Sequence, residues 1–218
     1  MDVVHIKDRL LTRRGIAMVL MKRLCIFSLM MLLIVSVFGC GGLRYSWVDS
    51  EANRYIPKTI GVFPVDVGIF EEARGVADHV IAGILIEKRW FTDVVTADTI
   101  SKQIQVNEEL RKIYLDYTTK LKAVNFSDPE LSKKIGQISR IDAFLLVTVD
   151  YWTYTTENEK KVAKVGFGIK MIDASSGKIL WKAGHHEAED YMLLKPKLPD
   201  VAKDVFSKMI KEMPHPDK

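Results

Sequence analysis

The period of the apolar positions changes along this chain, and each change marks a different kind of element. Thr59 to Val65 is a compact apolar run interrupted only by Pro64 near its end, which predicts a buried strand whose last residues need no ladder donor. From Phe70 onward Ala73, Val76, Ala77, Val80, Ile81, Ile84 and Leu85 recur at spacings of three and four, so a helix is predicted from about Glu71 to Lys88. Glu71 and Glu72 fall at its positive end, and Lys88 and Arg89 at its negative one. Phe91 to Thr96 is a second strand candidate, with Asp98 or Thr99 placed to cap the next helix. Strand, crossover helix and strand make a βαβ unit with right-handed parallel pairing.

Ile100 to Arg140 is lysine-rich and helical in spacing at Leu110, Ile113, Tyr114 and Tyr117. A break is predicted at Asn125 to Pro129, where Pro suits the first turn of another short helix. From Ala143 the period falls to two. Ala143, Leu145, Val147, Val149 and Tyr151 share one face, and Ala163, Val165, Phe167, Ile169 and Met171 alternate with polar residues or glycine. Thr155 to Lys160 connects these strands, Asp173-Ala174-Ser175-Ser176-Gly177 turns the chain into a third strand over Lys178 to Glu189, and a helix follows from about Pro199 to Glu212. The pattern predicts an α/β (α+β) fold, with a βαβ unit, helices, a three-stranded antiparallel meander and a C-terminal helix on a mixed sheet of about five strands.

The amino-terminal part follows different rules. Leu24 to Phe38 is uncharged and 15 residues long, shorter than the roughly 20 apolar residues that span a bilayer. It follows Lys22-Arg23 and ends in Gly39-Cys40, the layout of an export signal cut after a small residue. Val37-Phe38-Gly39-Cys40 resembles the lipobox of bacterial lipoproteins, except that Phe38 is larger than the residue usual there. That resemblance implies acylation of Cys40 by a diacylglyceryl thioether and an amide-linked acyl chain. An uncleaved amino-terminal anchor is the other reading, and both put the chain at a membrane surface. Met21-Lys22-Arg23 makes a better start than Met1, so residues 1–20 are read as an upstream extension, 21–39 as the signal, 40–57 as a lipidated tether, 58–213 as one domain and 214–218 as a tail.

Removing the leader changes the charge picture. The chain carries +4 overall, but the leader holds six of the 32 basic and two of the 28 acidic residues, leaving the exported part neutral. A neutral surface argues against nucleic acid as a partner, because binding phosphates requires a basic face. Cys25 lies within the leader, so Cys40 is the one cysteine of the exported part and no disulfide is expected.

Several segments carry a family likeness: Ile60-Gly61-Val62-Phe63-Pro64, Trp90-Phe91-Thr92-Asp93-Val94-Val95, Ile141-Asp142-Ala143-Phe144-Leu145-Leu146, and Asp173 to Trp181. In this order they resemble the amino-terminal domain of TolB and its structural relatives among envelope lipoproteins, the CsgG, PelC and LpoB group. The resemblance implies non-enzymatic work in secretion, polysaccharide export or cell-wall assembly through protein contacts. The chain lacks TolB's propeller and LpoB's long tether. Its 100–140 insertion is polar and helical where a pore former needs spare strands, so pore formation is not carried over.

Candidate chemistry is sparse. His185-His186-Glu187 has metal-ligand residue types, but on a strand His186 points away from the other two, leaving fewer ligands than a catalytic zinc takes from protein. Ser175 and Ser176 lie in a turn without a nucleophile elbow, and no phosphate-binding glycine loop occurs. Asp142, Asp150 and Asp173 lie near strand ends or on the polar side. Gly166 and Gly168 on one face of a strand suggest close approach of neighbouring groups, and with Thr148, Asp150, Trp152, Tyr154 and Lys164 they are expected to form a flat polar-aromatic surface. Trp152 and Tyr154 are the expected partner-binding residues. The expectation is a non-enzymatic lipoprotein with no cofactor, anchored to the lipid bilayer of the outer membrane through Cys40, facing the periplasm, and binding envelope proteins or forming a homo-oligomer. The alternative is a periplasmic glycan- or small-ligand-binding lipoprotein using that aromatic face, and a hydrolase with an unrecognised site is a third reading.

Overall fold

A computed structural model describes residues 43–52 and 57–215. Cys40 and the leader lie outside these residues. The described chain builds one open mixed sheet of six strands, β1 (Tyr45–Val48), β2 (Thr59–Val62), β3 (Asp93–Val95), β4 (Ala143–Glu157), β5 (Lys160–Asp173) and β6 (Ile179–Asp190), in the spatial order β1-β6-β5-β4-β2-β3. Five helices accompany it: α1 (Val76–Lys88), α2 (Ala97–Val106), α3 (Glu108–Val124), α4 (Pro129–Ser139) and α5 (Leu198–Met209). The α/β class, the βαβ unit, the meander and the closing helix are as the pattern predicts; the sheet has six strands where about five were expected.

The topology follows from β2, which pairs in parallel with β3 on one side and β4 on the other. The connection from β2 to β3 runs through α1, and the connection from β3 back to β4 runs through α2, α3 and α4. Because these crossovers move in opposite directions, right-handedness sends them to opposite faces. One core accordingly joins α1 and α5 to the sheet through Ile81, Leu85, Val205 and Phe206, packed on Ile60, Val165, Phe167 and Trp181. The other joins α2, α3 and α4 through Ile100, Leu110, Tyr117 and Ile135, packed on Phe63, Phe144 and Ile172.

The sixth strand is β1, inside the segment expected to be a tether. Tyr45 lies opposite Gly184 and Val48 opposite Trp181, and Trp181 Nε1 donates to Ser46 Oγ at 3.3 Å. Four residues of Tyr-Ser-Trp-Val are too few to show an alternation, which is why the pattern misses them. The helix expected from Glu71 is also divided. Glu71–Ala73 forms a single 3-10 turn, and Gly75 at φ 74° separates it from α1. The buried Asp78 carboxylate fixes that junction by accepting from Val65 N at 2.8 Å and Gly75 N at 3.0 Å. Before α2, Thr96 holds the N-cap position rather than Asp98 or Thr99, and Asp98 lies in the first turn.

Local chemistry explains most of the other boundaries. Asn125 ends α3 in a left-handed conformation, and Asp128 caps α4 by accepting from Glu130 N and Leu131 N at 3.0 and 3.2 Å, with Pro129 in the first turn. The β4–β5 hairpin closes on Asn158 and Glu159, both at positive φ, the signature of a tight turn matched to strand twist. Its strands therefore run further than the polar stretch from Thr155 suggested. At the other end of β5, Asp173 accepts from the amides of Ser175 and Ser176 at 3.1 and 3.2 Å. Gly177 turns there at φ 71° with its backbone against Pro129.

Candidate functional site

A bulge at Asp150 decides what β4 shows to solvent. The register against β5 slips between Val149 and Tyr151, and one extra residue moves every later side chain to the opposite face. Up to Val149 the odd-numbered residues enter the α1–α5 core; beyond it Trp152 enters, with Tyr154 packed against the same core. Trp152 is 5% exposed, its ring 6.5 Å from Phe167. The Tyr154 hydroxyl donates to Pro196 O at 2.8 Å, beneath the Lys195 ammonium. The expected placement of Trp152 and Tyr154 beside Gly166 and Gly168 is therefore corrected. The shift is visible in the sequence as a change in the parity of the apolar positions, from Val147 and Val149 to Trp152 and Tyr154.

The polar-aromatic surface itself is present, built from other rings. Tyr151 lies opposite Gly166 and makes an edge contact with His186, centroids 5.3 Å apart. A Cβ on Gly166 would lie 2.7 Å from His186 Cβ and 2.9 Å from Tyr151 Cδ2, and one on Gly184 would run into the Tyr45 ring. These glycines let rings lie directly on the backbone, the arrangement by which aromatics rescue strand glycines. Lys164 holds its ammonium 4.3 Å from the Tyr151 ring and pairs with Glu157 at 2.7 Å, and Lys182 sits 5.0 Å from the Trp47 ring. Burial raises the Asp150 carboxyl above its ordinary value, against the opposing pull of Arg44 and His186. Burial, with Lys164, Arg44 and His185 nearby, lowers the His186 imidazole.

Beside this surface lies a cleft of about 460 Å³, in the size range of small-molecule sites. It opens just past the end of β2, where the chain runs on beside β4 and bridges it at Asp66 and Thr148. In open sheets, the crevice beyond the carboxyl ends of parallel strands, where connections part to opposite faces, is the usual ligand position. Tyr114 and Lys122 of α3 form one wall, and Thr148, Gly168 and Lys170 form the floor. Lys122 pairs with Asp66 at 2.6 Å and holds that carboxyl below its ordinary value. Burial pushes the Tyr114 hydroxyl up to about 12, with Asp66 and Asp78 adding to the effect.

The remaining candidates separate. His185 Nε2 lies 3.3 Å from Glu187 Oε1 on the α5 side, where Lys208 also meets Glu187, and His186 faces the opposite way. Burial alone would raise the Glu187 carboxyl, but hydrogen bonds from Lys208 and His185 leave it lowered. Among the described residues no group of three or more His, Cys, Asp or Glu side chains could hold a metal, and no helix is long and apolar enough to cross a membrane.

One pole of the domain escaped the sequence reading. Because β1 runs antiparallel to β6, the chain reaches Tyr45 from the end of the sheet where β6 finishes. The loop after β6 presents Met192, Leu193 and Leu194 at 91%, 96% and 89% exposure. Isolated exposed apolar residues are ordinary, but three in succession are not.

These features define an open mixed α/β sheet with helices on both faces and an antiparallel half extending beyond them. No family model and no curated protein matches the sequence. Among solved structures, the chain is similar to a variant of PelC from Paraburkholderia phytofirmans, a dodecamer, at 15% identity and a TM-score of 0.51, over 79% of this chain and 97% of that one. A second PelC dodecamer from the same organism gives 16% identity and a TM-score of 0.50, over 78% and 95% of the two chains. The lipoprotein GNA1162 from Neisseria meningitidis matches at 18% identity and a TM-score of 0.44, over 71% and 99%. The PelC likeness establishes a shared fold.

Proposed function

We propose that this chain is a lipoprotein anchored by acylated Cys40 in the inner leaflet of the outer membrane, facing the periplasm and serving as a non-enzymatic assembly, scaffolding or oligomerisation subunit. The observation that carries this reading is the exposed apolar run Met192-Leu193-Leu194 in the loop after β6. Cys40 precedes Leu43 by three residues, at most about 11 Å of extended chain. Such a leash keeps the domain near its bilayer, and the loop after β6 presents Met192, Leu193 and Leu194 to solvent. Apolar side chains of this exposure are stabilised at a lipid surface, and they supplement the acyl chains of the anchor.

Assembly is supported by the fold shared with a dodecameric protein and by β1, the edge of the sheet among the described residues, where Tyr45 and Trp47 are 50% and 43% exposed. A non-enzymatic role agrees with how the carboxylates are used. Asp78, Asp128 and Asp142 each accept from two backbone amides, the last from Lys58 N and Thr59 N at 2.9 Å. Such groups hold junctions and caps in place. The test combines light scattering of the full chain in non-ionic detergent with in-cell crosslinking from Trp47. Particles larger than a monomer, or a crosslinked envelope protein, are expected. A strict monomer with no crosslinked partner contradicts the reading.

A further inference from the structure

The cleft beside α3 holds donors that the fold leaves without acceptors of matching charge. Lys170 and Lys182 stand directly opposite one another on β5 and β6, an unfavourable cross-strand pairing of like charges. Among the described residues Lys170 has Asn125 Oδ1 as its partner at 3.1 Å and no carboxylate. Burial, followed by the nearby Lys182, lowers the ammonium below its ordinary value. A half-buried cation held beside another cation costs stability, and the neutral Asn125 amide oxygen does not cancel that repulsion.

The second donor is Tyr114. Its ring stacks on Phe63 at 5.0 Å, which fixes its position in the wall, and with its hydroxyl at about 12 it stays protonated across the physiological range. Among the described residues that hydroxyl has no hydrogen-bond partner. The other polar groups of the wall are engaged: Thr118 Oγ1 donates to Tyr114 O at 2.8 Å, Thr148 Oγ1 to Gly168 O at 3.3 Å, and Lys122 to Asp66. Arg74 is clamped on Glu71 by two bonds of 2.8 Å. Negative charge facing the cleft comes from Asp66, already neutralised by Lys122, and from Asp150 at its outer rim. What remains without an anionic partner is an ammonium, which can only donate, and a protonated phenol with its hydroxyl open to donate.

We propose that this cleft binds a small organic anion, a carboxylate or a phosphate ester, its anionic oxygens taken by the Lys170 ammonium and the Tyr114 hydroxyl. The body of the ligand lies along the bare backbone of Gly168, where a side chain would reach Thr148 Oγ1 within 2.8 Å, with Tyr45 closing the outer side. An anion there cancels the Lys170–Lys182 repulsion, and charge-assisted hydrogen bonds are the stronger class. The lining residues all belong to one chain, and Cys40 is not among them.

The test follows backbone amide shifts of the full chain in non-ionic detergent during titration with glucuronate, glucose 6-phosphate and glucose, which share one ring body and differ in charge. Saturable shifts at Thr148, Gly168 and Lys170 are expected with at least one of the two anions, with a Kd of about 1 mM or tighter, and the stronger of the two distinguishes carboxylate from phosphate. Glucose should produce none. Lys170→Gln, which relieves the lysine pair and so keeps the fold, should weaken binding at least about tenfold, and Tyr114→Phe about threefold. The proposal is overturned if neither anion gives saturable shifts, if glucose moves the same amides equally, or if Lys170→Gln leaves the affinity unchanged.

Discussion

The two faces of the sheet solve opposite problems with the same strands. On the α1–α5 face, Ala143, Leu145, Val147 and Val149 of β4 continue into Trp152, and the Asp150 bulge keeps that apolar row facing the helices along the strand. On the other face helices cover Phe144 and Ile172, while farther along Gly166, Gly168 and Gly184 lie under rings and polar side chains. The first face is specified by volume and by a register that cannot slip. The second is specified by close approach, where the absence of a side chain is the feature. A closed core serves stability, and a glycine floor under aromatics leaves a surface that can meet another molecule.

Deleting Asp150 and Tyr151 together would break this contrast most severely. Trp152 then follows Val149 directly, so alternation drives Trp152 and Tyr154 outward and Thr153 inward at a cost of more than about 5 kcal/mol, whereas deleting Asp150 alone leaves Tyr151 outward and Trp152 inward and should keep the fold. For the double deletion, circular dichroism should show no cooperative thermal transition; a native-like melt would refute the role given to this register. Next in size is the comparison of neighbours: Trp152→Ala should lose about 3–5 kcal/mol in denaturant unfolding, and Tyr151→Ala about 1 kcal/mol. Similar losses at both positions would mean that the faces are not distinguished in this way. Gly184→Val puts a branched side chain where the Tyr45 ring lies and should cost about 1–3 kcal/mol, with hydrogen exchange at Ser46 and Trp47 rising as β1 loosens.

The smallest effect is a pH dependence of known sign. The Asp150 carboxyl is raised in the folded state, so ionisation disfavours folding and stability falls as pH climbs from about 3.9, the unfolded value, through the folded one. Asp150→Asn should therefore raise Tm slightly at pH 7 and leave it unchanged below about pH 3.9. Asp66, lowered mainly by its Lys122 hydrogen bond, gives the opposite dependence, with stability present above about pH 3.9 and lost as pH falls through the folded value. Replacing Lys122 by Ala should flatten that acid limb.

Most of the architecture is legible in periodicity. The βαβ unit, the break at Asn125, the cap at Asp128, the turn at Gly177 and the closing helix each have a local chemical cause that the sequence displays. β1 does not, because four residues against an edge carry their information in Gly184 and Trp181, far along the chain. The placement of Trp152 fails for a related reason: a bulge is a property of two strands, and a single strand shows it only as a change of parity. The glycine floor was expected, but its covering rings, Tyr151 and Tyr45, required the register to be known. The Met192-Leu193-Leu194 tip reads as ordinary apolar sequence until its exposure is seen.

The lipid anchor is tested most directly by intact mass spectrometry of the protein purified from membranes of its own host. The account predicts a chain beginning at Cys40 and carrying a diacylglyceryl group with a further acyl chain, and a Cys40→Ala form that keeps its leader and loses the added mass. A soluble, unmodified chain with residues 21–39 still attached would contradict it.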